Sequence, residues 1–320
     1  MVFFGLLKFN SYYYIVNLVF HIKFKIMADT MLSFCDQNLG NFLSKEELKS
    51  ICPSAFKKAP TNPNVSDRYV HANTEMVIDD LAKLGWYPVQ AKQCRAKRNS
   101  SGIRSFHMIA FQNPDVKVVN KGEDGTETID SFPRLILTNS HDGFNSFKFM
   151  VGLFRLVCSN GLIVSTENFV NTSIKHINYT FEALRKIVVE SLENVPTIIM
   201  TMNKMKNRQL TEDEQKELAY EVVKIRKNLD DNVDNKKIGV DEPMLLDILK
   251  PLRPDDCGTD LWTIFNVCQE KMMRGGYYST NKTNKMMKQR SITSIKKDLD
   301  FNQRLWKKAE SILETEPCLC

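Results

Sequence analysis

The sequence predicts an α+β fold: a central, mostly antiparallel sheet over about residues 68–170, flanked by helices, with a helical C-terminal half. Three observations carry this. The middle of the chain alternates apolar and polar residues between turn signals at hairpin spacing, as in Phe147, Phe149, Val151 and Leu153. Beyond about residue 179 the apolar period becomes that of a helix. The strands do not alternate with helices, which argues against a doubly wound sheet.

Taken in order, Leu43 to Leu48 reads as a short helix, with Ser44 as N-cap and Glu47 completing a capping box, ended by Pro53. Residues 59–67 are a loop rich in Pro, Asn and Ser. Thr74 caps the next helix, Glu75 to Leu84; its apolar positions Val77, Ile78, Leu81 and Leu84 share one face, and Gly85 stops it. Trp86 to Arg95 and Arg104 to Phe111 pair as a hairpin across a basic turn at Lys97 to Gly102. After a polar turn at Lys121 to Gly125, Arg134 to Thr138 is a continuous apolar strand suited to a sheet interior. Asp142-Gly143 turns the chain into the alternating strand at Phe147, and Asn160-Gly161 turns it again into Leu162 to Val164. Tyr179 to Met205 is a long helical stretch nicked at Pro196. Thr211 to Glu214 opens another helix running to about Leu229, and Asp260 to Met273 and Ser291 to Leu313 complete the set.

The chain has 320 residues, 42% hydrophobic and 26% charged. That excludes a wholly disordered chain and a polytopic membrane protein. Four segments are expected: 1–26, an over-extended start or N-terminal extension; 27–229, the α+β core; 230–242, an acidic linker; and 243–320, a helical basic region packed on the core. The first 26 residues are aromatic and basic, yet their longest uncharged run is the 12 residues Phe9 to Phe20, against about 20 for a membrane span. Met27 is the expected start of translation, and the cysteine usage points to a reducing, cytoplasmic setting in the host cell.

Familiar catalytic signatures are absent: no phosphate-binding loop, dinucleotide fingerprint, zinc-protease helix or nucleophile elbow. The eight cysteines are scattered, without C-x-x-C or zinc-ligand spacing, which fits reduced thiols and no metal or cofactor. The densest polar cluster is Asn139-Ser140-His141-Asp142-Gly143. A His beside an Asp at a strand end suits an oriented base, and hairpin geometry can bring Cys158 and Asn160 near it, with Arg155 to hold an anion. The plainer alternative makes Asn139, Asp142 and Asn160 turn formers, Cys158 a small core residue and His141 a partner for a backbone carbonyl.

The second cluster is electrostatic. Lys271 to Lys308 holds eleven Lys and Arg against Asp298 and Asp300, a net +9 beside +6 for the whole chain. Gly275-Gly276-Tyr277-Tyr278 introduces what reads as a flexible basic loop with Lys282, Lys285, Lys288 and Arg290. Lys296 and Lys297 follow. This pattern suits phosphate contact with base stacking, or simply a solvated face. Lys92, Arg95, Lys97, Arg98 and Arg104 form a smaller basic hairpin that can extend the surface.

Arg134 to Gly143 (RLILTNSHDG), followed by Gly152 to Leu162 (GLFRLVCSNGL), resembles the phage- and plasmid-borne family called domain of unknown function 932. Similar stretches run along the chain: Leu43 to Phe56, Asp67 to Val70, Leu261 to Glu270 with the Gly275-Gly276 pair, and Ile295 to Trp306. The resemblance covers about residues 32–315. It implies a role by association, in phage or plasmid DNA metabolism or counter-defence, and carries over no activity. The leading reading is therefore a nucleic-acid-binding protein using Lys282, Lys285, Lys288, Arg290, Lys296 and Lys297. The rivals are an enzyme built on His141, Asp142, Cys158, Asn160 and Arg155, and an inhibitor of a host defence protein.

Overall fold

The computed structural model describes residues 42–314 except 63, 65–70, 72, 95–104, 122–126, 144, 146, 156–171, 175–179, 194, 231 and 282–284. The expectations for residues 1–26, the turns at Lys97, Gly122 and Asn160, the strand at Leu162 to Val164, and Cys158, Asn160 and Lys282 lie outside the described residues. The chain forms two compact units, one of residues 1–161 and 172–189, the other of 162–171 and 190–320. The class is α+β, as the periodicities predict.

The first unit opens with α1 (Lys45–Ile51). Its reciprocal Ser44–Glu47 capping box is present, with Ser44 N donating to Glu47 Oε2 at 2.8 Å and Glu47 N to Ser44 Oγ at 3.2 Å. A 3-10 turn at Pro53–Phe56 follows, then α2 (Thr74–Lys83), which buries Val77, Ile78 and Leu81. The cap of α2 is Asn73, whose side chain accepts from Glu75 N; Thr74 is already inside the helix and buried. The expected Thr74 cap is thus displaced by one residue: the Asn73 side-chain oxygen accepts from the N2 amide of Glu75, which leaves the Thr74 hydroxyl for another use.

The sheet holds β1 (Tyr87–Gln93), β2 (His107–Gln112), β3 (Val118–Lys121), β4 (Glu127–Asn139), β5 (Phe147–Arg155) and β6 (Thr172–Ile174), in the order β1-β2-β4-β5-β6, all neighbours antiparallel. Both expected hairpins are present, and β3 and β6 add short strands that no long apolar run announces. By register, β2 and β3 lie end to end along one edge of β4. Pro133, which has no N–H to donate, stands on β4 between their pairings, opposite Leu153 alone. Every residue of β2 is buried, so both faces of the sheet are covered there. The unit ends in α3 (Phe181–Glu193), whose last turn passes into the second unit.

The second unit carries α4 (Val195–Asn207), α5 (Glu212–Lys227), α6 (Glu242–Leu249), α7 (Leu261–Arg274), the strand pair β7 (Tyr278–Thr280) and β8 (Met286–Lys288), and α8 (Ile295–Glu314). The long helical stretch is divided just before Pro196, which sits in the first turn of α4, where its missing N–H costs nothing. Thr211 and Glu214 cap α5 reciprocally, and Asp241 and Asp260 cap α6 and α7. Trp262, Phe265 and Trp306 form an aromatic core, with ring centroids 5.8 and 6.2 Å apart. Between α5 and α6, Ile238 and Val240 are buried and Lys227 Nζ donates to Ile238 O at 2.7 Å. Among the described residues no helix is long and apolar enough to cross a membrane.

Candidate functional site

The His141 cluster folds inward. Asn139 ends β4 directly opposite His107 of β2, and the chain then curls over the strand ends, with Gly143 at φ +76°. Ser140 Oγ donates to Asp142 Oδ1 at 2.7 Å and accepts from Asn145 N at 3.2 Å, closing the turn. The turn is sewn to its surroundings by backbone bonds. His141 N donates to Ser105 Oγ at 2.6 Å, Thr61 N to His141 O at 2.7 Å, and Asn62 Nδ2 to Asp142 O at 3.2 Å.

Three of the chain's five histidines gather beneath this turn, with His141 4.4 Å from the ring of His71 and 5.3 Å from that of His107. His107 is fully buried. Its Nδ1 lies 2.7 Å from Ser105 O, an acceptor only, so Nδ1 carries the proton and Nε2 accepts from the Thr74 hydroxyl at 3.1 Å. Thr74 Oγ1 in turn accepts from Asn139 Nδ2 at 3.0 Å and lies 3.4 Å from His141 Nε2. Burial pushes the His107 pKa down to about 4; the Ser105 carbonyl and the Asp142 charge offset only part of that. The imidazole is therefore neutral at physiological pH, wired into a buried network that ties α2, β2 and β4 together.

This places the first set of expected site residues. His141 is 0% and Asp142 2% exposed, so both are braces of the turn, and neither presents a reactive face to solvent. Arg155 is the last residue of β5, opposite Ser131. Among the described residues no group of His, Cys, Asp and Glu is arranged to hold a metal ion. Cys52, Cys94, Cys257 and Cys268 are free thiols, and burial pushes Cys52 and Cys268 up to about 12, which leaves those two inert. His71, Ser105 and His107 escaped the sequence reading, and Thr74 entered it only as a helix cap. The signal for His107 was present: an imidazole at the head of an otherwise apolar strand must be hydrogen-bonded inside.

The basic segment behaves differently. The glycine pair opens a two-stranded hairpin and not a flexible loop. Gly275 has φ +72° and ψ −153°, a conformation open in practice to glycine alone, and a Cβ there would sit 2.6 Å from the Arg290 carbonyl carbon. Gly276 N donates to Gln289 O and Gln289 N to Tyr277 O, each at 2.8 Å. Tyr277 is fully buried and takes no part in any surface, whereas Tyr278 is 47% exposed.

Lys285, Lys288, Arg290, Lys296 and Lys297 are all exposed. Among the described residues Lys285, Lys288, Arg290 and Lys297 have no carboxylate partner. Other cations of the +9 segment are committed within the unit: Lys271 to Asp247, Arg274 to Glu270, and Lys308 to Glu221. Burial by itself would raise the Glu221 carboxyl, but hydrogen bonds from Lys224 and Lys308 hold it below the usual carboxylate value. Arg274 is exposed as well as paired, so it is pairing with a carboxylate, more than exposure, that divides the cations of this segment.

A two-unit α+β chain, with a buried polar network in one unit and an exposed cationic hairpin in the other, is the class of protein these observations define. The chain belongs to the family described as domain of unknown function (DUF932), whose model matches residues 63–306. It is similar to the UPF0380 proteins YafZ and YfjQ of Escherichia coli (strain K12), each 28% identical over 273 residues, 85% of this chain and 92% of the relative. No solved structure matches it.

Proposed function

We propose that the chain is a nucleic-acid-binding protein encoded by a phage or plasmid, acting in the host cytoplasm in mobile-element DNA metabolism or counter-defence. One observation carries the reading: from Gly275 to Lys297 there is no acidic residue, and Lys285, Lys288, Arg290, Lys296 and Lys297 are exposed along it. Lys282 belongs to the same stretch and is assigned to it by sequence. Lys296 and Lys297 also sit in the first turn of α8, where the helix dipole is already positive. Cations at that end repel the dipole, and a bound phosphate relieves the repulsion.

A titration of the full chain against single- and double-stranded DNA at two salt concentrations tests this. Six phosphate contacts predict log K falling against log salt with a slope of about −5 on duplex. Absence of binding at low salt rejects the reading. A pull-down from host lysate with and without nuclease separates it from inhibition of a host protein: capture that survives nuclease belongs to the latter.

A further inference from the structure

Building on the nucleic-acid reading, we propose that the β7–β8 hairpin is a stacking platform for an unpaired base, so that the preferred partner is single-stranded nucleic acid. In the antiparallel register Tyr278 stands directly opposite Lys288, and Thr280 opposite Met286, so these four residues share one face. On that face Tyr278, Met286 and Lys288 are exposed, Tyr278 at 47% and Met286 at 59%. On the other face Ser279 is fully buried, while Met287 opposite it is 47% exposed. An aromatic ring, a thioether and an ammonium side by side on a two-stranded ribbon match the parts of a nucleotide. The ring takes the base face, the apolar side chain its edge, and the cation the adjoining phosphate.

The platform is held firmly from behind. Thr280 N donates to Gly239 O at 2.7 Å, Lys227 Nζ to Thr280 O at 3.1 Å, and Gln289 Nε2 to Ser279 Oγ at 2.9 Å. Asn281 N donates to Lys285 O and Lys285 N to Asn281 Oδ1, both at 3.0 Å, so the chain is tied again where the turn begins. A cross-strand pair held this way costs little further ordering when it binds. Duplex DNA presents phosphates to such a surface but hides its base faces in the stack. An unpaired base alone can use the tyrosine ring, and that is why the exposed aromatic, beyond the charge, favours a single strand. The net positive charge of the surrounding stretch selects a polyanion over an uncharged partner.

The test uses the full chain with labelled oligothymidylate, a mixed-sequence duplex and phosphatidylserine vesicles. Wild type is expected to prefer the oligothymidylate. Tyr278→Ala should weaken single-strand binding roughly tenfold and leave duplex binding within about twofold, while Tyr278→Phe keeps the wild-type preference. Lys288→Gln should weaken both and reduce the salt slope by about 1. Tyr278 is half exposed, so unchanged circular dichroism of the Ala variant is the folding control. Equal loss on both nucleic acids, or no loss on either, overturns the stacking proposal while leaving the nucleic-acid reading in place. Binding to vesicles but to neither nucleic acid overturns both.

Discussion

Polar side chains are spent in opposite ways in the two units. Under the His141 turn, Thr74, Asn139, Ser105 and His107 are hydrogen-bonded within the interior; on the β7–β8 hairpin, Lys285, Lys288 and Tyr278 stay exposed beside a backbone-bonded strand pair. A buried polar group must find its partners inside or pay a desolvation penalty, so each member of the first cluster is indispensable to its neighbours. An exposed cation has water already, so its loss costs the fold little. Energetic weight and functional exposure therefore fall on different clusters, although both look equally polar as strings of letters.

That contrast breaks most directly at Thr74. Thr74→Val removes the hydroxyl that satisfies His107 Nε2 and Asn139 Nδ2, and should cost about 4 kcal/mol of the first unit's stability in urea titrations, whereas Thr74→Ser should cost far less. If Thr74→Val proved neutral, the network would not be the brace described here. Acid gives the next largest effect. The folded His107 value of about 4 lies below the unfolded value near 6.5, so its contribution is complete above pH 6.5 and fades as pH falls towards 4, about 3 kcal/mol in all. Stability measured across that window should lose part of its slope in His107→Gln; an identical slope would assign the acid sensitivity to other groups.

In the second unit the largest expected effect is on backbone, not charge. Gly275→Ala forces a Cβ against the Arg290 carbonyl and should cost about 2 kcal/mol, read as faster amide exchange in β7 and β8. The smallest stability effect sharpens the comparison from the other side. Lys285→Gln, Lys288→Gln and Lys297→Gln should each stay within about 0.5 kcal/mol of wild type in melting experiments, while each lowers the salt slope of DNA binding by about 1. A lysine substitution that destabilised the fold as much as Thr74→Val would erase the distinction between the clusters.

Local chemistry in the sequence was enough for the α+β class, both capping boxes, the β1–β2 and β4–β5 hairpins and the concentration of positive charge, because caps, alternation and turn residues act over a few neighbours. Those features need no knowledge of what lies across the molecule. The acidic stretch 230–242 shows where such reasoning ends: its composition reads as linker, yet Ile238 and Val240 are buried, and Ile238 O and Gly239 O accept from Lys227 Nζ and Thr280 N. Only tertiary structure decided that His141 and Asp142 turn inward, that Thr74 bonds imidazoles in place of capping its helix, and that Tyr277 is core while Tyr278 is surface. Each of those outcomes depends on which residues distant in sequence come to lie within about 3 Å, and burial, unlike periodicity, is a property of the assembled fold.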